Sequence, residues 1–489
     1  MTSLRAAAEI GLAWTVLSRW GSRLAGLAAL IIVARYLDPG EFGLAALTTS
    51  VLMLVQVLAE AGFASYLVGS RRNDQRSLST AFWVNLLLAG LLGGLVVLGA
   101  SPLERVFGVP GLADTLRWVP LALVAIGASA VPAALLQQRL HFKGLAVRQL
   151  AGVLTGAVLA VVLAMAGAGV WALVAQSIAQ HVVSAVVLLA TARWRPALVV
   201  DLRALVPMAS FGSKTAATGL LAQIRDRVED FMLGSTAGAA AVGHWSVASR
   251  LTRLIVDLTN SVVHSMSLPL LAQLNHDRDQ MNGAYARMLS VSMVAVAPAL
   301  TLTAMTAPDL IPLLVGDQWT ATILPAQLIA VSGLVAGVST YDRAYYFAAG
   351  RPGVELALSI ALLGPAVLTI AVGARYGITV LAAVSLVRTA VFVGIRMTVL
   401  VRTCGVPLRL FRQPLLIVLL TLVWGAVVHL ALGAVPVREH GLRALLQVAV
   451  FASVYPLLIR VVARDTYDEL RSTLRRALNR ALRVVSSSG

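Results

Sequence analysis

The sequence contains one cysteine, Cys404, and only two lysines, Lys143 and Lys214, among its 39 basic residues. A single cysteine excludes an internal disulfide and a cysteine-based metal cluster. Charge of either sign is scarce. Asp, Glu, Lys and Arg make up 12% of the 489 residues, whereas apolar residues make up 58%; soluble domains usually carry about 25% charged residues. The chain therefore reads as a polytopic membrane protein. Aromatics are few (6%), and no basic cluster carries interleaved rings for stacking bases, which sets nucleic acid aside despite a net charge of +17. No small-residue cleavage site follows an uninterrupted apolar core near the N-terminus, so the first span is expected to stay in place. Long outer loops are lacking too. The largest, 101–117, is too small for a catalytic domain.

Apolar segments of about 20 residues, the length that crosses a bilayer, recur along the chain. They predict an all-α protein with about fourteen transmembrane helices. The predicted cytoplasmic sections hold 23 Arg and Lys and the opposite side six, a bias that puts both termini inside. After residue 465 the tail places Leu470, Leu474, Leu478, Leu482 and Val485 on one helical face, with Arg471, Arg475, Arg476, Arg480 and Arg483 largely elsewhere. Such an amphipathic helix suits the anionic inner leaflet as an anchor, or serves a partner protein.

The stretch from Arg225 to His264 breaks the apolar rule. RDRVEDFMLG leads through a small-residue hinge, STAGAAAVG, into HWSVASRLTRLIVDLTNSVVH. The two predicted spans, 208–234 and 239–270, carry Arg225, Asp226, Arg227, Glu229, Asp230, Arg250, Arg253 and Asp257. One such charge at mid-membrane costs ~2.5–3.5 kcal/mol, so eight facing lipid would cost roughly 20–28 kcal/mol, more than the ~5–15 kcal/mol by which proteins are stable. The groups must therefore face one another or water. In the second span Ser246, Arg250, Arg253, Asp257, Asn260 and His264 follow steps of four and three, forming one polar stripe. In the first, Arg225 with Glu229 and Arg227 with Asp230 are spaced for pairing within the helix. Two readings stay open: a structural ion network, or a wet pathway for a polar substrate.

Residues 35–60, RYLDPGEFGLAALTTSVLMLVQVLAE, resemble 235–260, STAGAAAVGHWSVASRLTRLIVDLTN, at an offset of 200. In each, a small turn leads to a hydrophobic residue followed by glycine, Phe42-Gly43 and Val242-Gly243, and then to a polar-striped span. Arg105–Gly108 with Trp118 echoes Leu310–Gly316 with Trp319. The expected organisation is two parallel-repeat six-helix bundles, 1–204 and 205–402, two further spans over 403–464 and the basic tail over 465–489, with a substrate site between the halves. The other charged positions within spans are Arg19, Arg23, Glu60, Lys214, Asp342, Arg343 and Arg388. Cations outnumber acids, so the cavity should favour an anion; for Arg19 and Arg23, snorkelling to the inner interface is the alternative. Gln176 and Gln180 read as helix-packing groups.

The motifs RYLDPGEFGL, RDRVEDFMLG with AAVGHWSVASRL, and APDLIPLLVGDQW with AAGRP occur in order. They resemble Wzx-type polysaccharide flippases of the multidrug/oligosaccharidyl-lipid/polysaccharide exporter superfamily, most densely over 35–70 and 205–355. The span 208–234, the seventh, departs from the family pattern in its heavier charge. The resemblance implies a V-shaped, MATE-like pair of bundles with two extra helices in the bacterial inner membrane. It also implies a non-enzymatic flippase that moves polyprenyl-diphosphate-linked oligosaccharides outward by alternating access, for O-antigen, lipopolysaccharide or exopolysaccharide assembly. Cavity arginines on spans 1 and 8 of the related lipid II flippase match Arg19, Arg23, Arg250 and Arg253 by position, and Arg225 and Arg388 join them as candidate diphosphate contacts. The acids Glu60, Asp226, Glu229, Asp230, Asp257 and Asp342 either carry a coupling proton or sodium ion or hold the arginines in place. No other cofactor is implied, and polysaccharide polymerases are the protein partners expected. Two rival readings are a drug/cation antiporter, whose cavity should be acidic or aromatic, and a membrane glycosyltransferase or polymerase with Asp38 and Glu41 as its acidic pair. For the latter, the two acids also fit a simple turn.

Overall fold

The computed structural model describes residues 2–60, 63–69, 74–139, 141–435 and 439–468; the predicted tail helix lies outside them. The described residues form helices α1 (Thr2–Tyr36), α2 (Pro39–Ala59), α3 (Phe63–Gly69), α4 (Gln75–Phe107), α5 (Leu112–Leu116), α6 (Val119–Gln138), α7 (Phe142–Met165) and α8 (Trp171–Ala192). They continue with α9 (Leu202–Gln273), α10 (Arg278–Val315), α11 (Ile323–Gly337), α12 (Asp342–Ala348), α13 (Pro352–Arg375), α14 (Ile378–Cys404), α15 (Arg412–Gly433) and α16 (His440–Val462). Among the described residues, 11 helical segments are long and apolar enough to cross a membrane. The three other predicted spans fall on α1 and α9, which at 35 and 72 residues have the length but carry the charges. The all-helical, polytopic fold expected from the sequence is what the described residues adopt.

Local chemistry sets the ends of these helices. Asp38 caps α2 through a capping box: its Oδ1 accepts from Glu41 N at 2.8 Å, and Glu41 Oε2 accepts from Asp38 N at 3.2 Å. Pro39 follows in the first turn, where a missing N–H costs nothing. The acidic pair that could have served a glycosyltransferase is thus a helix start. Within α9, Gly238 (φ 80°, ψ 179°) interrupts the helix, leaving arms of 202–237 and 239–273. The α14 carboxyl end is closed by arginines: Arg278 Nη1 donates to Cys404 O at 3.4 Å, and Arg351 donates to Thr403 O.

The chain divides into two compact units, Met1–Ser246 with Leu314–Gln318, and Val247–Leu313 with Trp319 onward. In the first, α7 and α8 cross closely because Gly152 and Gly156 admit the backbone of Gln180 and Gln176. The end of α10 hooks onto α1, with Arg35 Nε donating to Leu314 O (2.7 Å) and Gln318 Nε2 to Ala34 O (3.2 Å). The second unit is centred on buried Tyr285, Tyr341, Tyr345 and Tyr346 with Leu289, Met293 and Leu400.

The repeat seen in the sequence has a physical counterpart inside the first unit. A Cβ on Gly43 would stand 1.7 Å from Ala239 O, and one on Gly243 would stand 2.0 Å from Pro39 O. The contact is reciprocal: positions 39 and 43 of α2 meet positions 239 and 243 of the second α9 arm, each pair being the other's equivalent at the 200-residue offset. Phe42 and Val242 are both fully buried beside it. No side chain fits where these backbones touch. Gly43→Ala and Gly243→Ala should each lower stability in detergent by about 1–3 kcal/mol, the usual cost of overpacking. Gly94→Ala, which meets nothing within 4 Å, should leave the thermal midpoint unchanged or slightly raised.

Candidate functional site

The charged arm of α9 lies along α2. Gly219, Gln223, Arg227, Asp230 and Gly234 recur at steps of three and four and so share one helical face. A Cβ on Gly219 would meet Val57 at 2.8 Å and one on Gly234 would meet Leu47 at 2.9 Å, so the two helices run antiparallel and close. Between those glycines the contact is polar. Gln223 Nε2 donates to Met53 O at 3.2 Å, and Ser50 Oγ donates to Asp230 Oδ2 at 2.8 Å. Arg227 Nη1 lies 3.4 Å from Asp230 Oδ2, and Nη2 lies 2.9 Å from Met53 Sδ. The pairing three residues apart, expected from spacing, is present.

A step of two residues turns a helix through about 200°, which puts Arg225 opposite Arg227. Arg225 and Asp226 form a 3.3 Å pair with side chains 66% and 53% exposed. Glu229 is half-buried. On α1, Arg19 is exposed and Arg23 half-buried, while Ser18 and Ser22 beside them are buried. Glu60 caps the carboxyl end of α2, exposed, and accepts from Gln56 Nε2 at 2.8 Å.

In the second unit, Arg250 is half-buried, and exposed Arg253 donates from Nη2 to Ser249 Oγ at 2.7 Å. The side chains of Asp257, Asn260 and His264 lie outside the described residues. Arg388 is half-buried and its Nη1 donates to Ala366 O at 3.4 Å. Arg343 is exposed, 5.3 Å over the Phe347 ring.

Asp342 is in a different situation from the other acids, with no exposed surface. Tyr285 OH donates to its Oδ1 at 2.6 Å, and Arg396 Nε lies 3.5 Å from its Oδ2. Arg396 Nη2 reaches Glu355 Oε2 at 2.7 Å. A carboxylate–guanidinium–carboxylate chain therefore joins α12, α14 and α13, with α10 supplying the tyrosine. Neither Arg396 nor Glu355 was among the candidates from sequence. A signal was there for Arg396: it lies three residues after buried Val393 and four before buried Leu400, on the face that α14 turns to the core.

These arrangements define a polytopic helical membrane protein with guanidinium groups along membrane-length helices, and the fold is that of a known flippase. The solved lipid II flippase MurJ, in an inward closed conformation, superposes with a TM-score of 0.75 at 16% identity, over 93% of this chain and 99% of that one. Residues 32–324 match the model of the polysaccharide biosynthesis protein family, and the chain belongs to that family. Two relatives agree with the assignment. The succinoglycan biosynthesis transport protein ExoT of Rhizobium meliloti (strain 1021) is 28% identical over 330 residues, 67% of each chain. The lipopolysaccharide biosynthesis protein WzxC of Escherichia coli (strain K12) is 23% identical over 364 residues, 73% of each chain. The family resemblance carried by the three sequence motifs is borne out.

The two charge populations should respond differently to mutation. Arg396→Gln strands Asp342 and Glu355 without their cation, and breaking a buried pair costs about 3–5 kcal/mol; a large loss of folded protein in detergent is expected. Arg225→Gln removes a guanidinium that is mostly exposed and should change stability by no more than about 0.5 kcal/mol. Size-exclusion profiles after graded heating read both.

Proposed function

We propose that this protein is a flippase that moves polyprenyl-diphosphate-linked oligosaccharide units from the inner to the outer leaflet for cell-surface polysaccharide export. ExoT and WzxC are named for transport and biosynthesis of such polymers, and family membership supports carrying that role to this chain. The observation that carries the reading is the set of guanidinium groups left accessible on membrane-length helices: Arg19, Arg225 and Arg253 exposed, Arg23, Arg250 and Arg388 half-buried. An exposed guanidinium on a membrane-length helix needs a wet surround, whichever protein groups it also touches. Guanidinium gives permanently charged, bidentate contacts to phosphate oxygens, which a diphosphate supplies in number.

In this mechanism the diphosphate enters from the inner leaflet and pairs with Arg250 and Arg253 and with Arg19 and Arg23, while the polyprenyl chain stays in lipid. The halves then rock to open the site outward, the alternating-access scheme. Asp226, Glu229 and Asp257 balance the arginines or bind a coupling proton or sodium ion. The chain sits in the bacterial inner membrane with both termini cytoplasmic, its basic tail on the anionic leaflet and polysaccharide polymerases downstream. A cationic-drug antiporter fits poorly, because the sign of the embedded charge is wrong for that cargo.

The test is complementation of a flippase-deficient strain together with a leaflet-accessibility assay. Arg250→Ala and Arg253→Ala, each expressed to wild-type level, should lower translocation at least tenfold. Wild-type translocation by both would remove the diphosphate clamp.

A further inference from the structure

The segment 193–201 between α8 and α9 has no helix of its own, yet it is fastened along α4. Gln75, Ser79 and Trp83, spaced by four, line one α4 face with Thr80 beside them. Trp194 Nε1 donates to Gln75 Oε1 and Gln75 Nε2 donates to Arg195 O, both at 2.8 Å. Ser79 Oγ accepts from Ala197 N at 3.0 Å, and Trp83 Nε1 donates to Ala197 O at 2.8 Å. Thr80 Oγ1 accepts from Asp201 N at 2.9 Å. The Trp194 ring packs edge-on against Phe82, with centroids 5.8 Å apart.

A backbone held this firmly presents its side chains in a fixed direction, and while Trp194 packs inward, Leu198, Val200 and Val206 point outward. Leu198 is 89% exposed, Val200 55%, and Val206 in the first turns of α9 69%. Arg193, Arg195 and Arg203 are exposed on the same stretch. A slack linker would fold Leu198 back onto the protein; hydrogen bonds on both sides of it prevent that here. The stretch continues directly from Ala192, the last residue of a helix long and apolar enough to cross a membrane, and the residues that follow such a span belong to the zone where hydrocarbon gives way to headgroups. Apolar side chains directed outward beside guanidinium groups fit that boundary, the former entering the acyl region and the latter reaching lipid phosphates.

We propose that residues 193–206 form a lipid-docking surface that takes anionic phospholipid headgroups from the leaflet at this end of the helices. Full-length protein carrying Leu198→Cys, labelled there with an environment-sensitive fluorophore, is reconstituted into phosphatidylcholine vesicles with and without phosphatidylglycerol. Cys404 is buried and serves as an internal unlabelled site. Emission should be blue-shifted relative to the dye in water, with a further salt-sensitive shift as phosphatidylglycerol is added. In Arg193→Gln/Arg195→Gln/Arg203→Gln, the phosphatidylglycerol requirement should rise roughly fivefold per arginine removed. The corresponding triple Lys variant should keep the response, because charge rather than shape is invoked. Water-like emission in both vesicle types would overturn the proposal. So would a shift that follows protein density instead of lipid charge, which would point to a second copy as the occupant, or loss of response in the Lys variant. The readout is independent of whether the protein flips a lipid-linked sugar.

Discussion

A guanidinium or carboxylate taken into hydrocarbon must be met by an opposite charge, a hydrogen-bonding group or water, and this requirement sorts the charged residues of the protein into two populations. One population is closed. Arg227 and Asp230 are bound to each other and to α2 through Ser50 and Met53, and Arg396 is held between Asp342 and Glu355. The other remains accessible, with Arg225, Asp226 and Arg253 as its clearest members. Helical geometry separates the two on a single arm, since residues two apart face opposite ways. The closed pairs hold helices together, and the others stay open to solvent.

Small residues do the complementary work on the apolar side. Hydrocarbon offers no hydrophobic gain to helices that come together, so close backbone approach and dispersion must supply the attraction. The Gly43–Gly243 contact is the tightest among the described glycines, and Gly152, Gly156, Gly219 and Gly234 provide others. The reciprocal contact also gives meaning to a weak internal similarity: two segments 200 residues apart each carry a glycine at the point where the other's backbone comes against it.

Much of this was legible in the sequence. The all-helical polytopic class, the Gly-containing break between two charged helices and the Arg227–Asp230 pairing follow from local periodicity, while Asp38 and Glu41, which read as a simple turn, form a capping box. Gly238 marks the break as one residue within STAGAAAVG, where a longer hinge was expected. The Asp342 network was not legible, because its partners lie on α10, α13 and α14 and their meeting is a tertiary fact. Arg396 sits at a core position of α14, so a residue type usually read as cavity-lining turned out to be a packing residue. The α4 clasp on 193–201 was hidden for a related reason: four of its five bonds run to backbone atoms, which leave no mark in residue identity.

The chain does not pass from one compact unit to the other only once. It leaves the first at Ser246, returns for Leu314–Gln318 and leaves again at Trp319. During synthesis, then, the amino-terminal unit stays open until a segment nearly seventy residues further along has been made and threaded back to Ala34 and Arg35. The early helices must wait in the membrane with that place unfilled, and no single cut in the polypeptide yields a complete amino-terminal half.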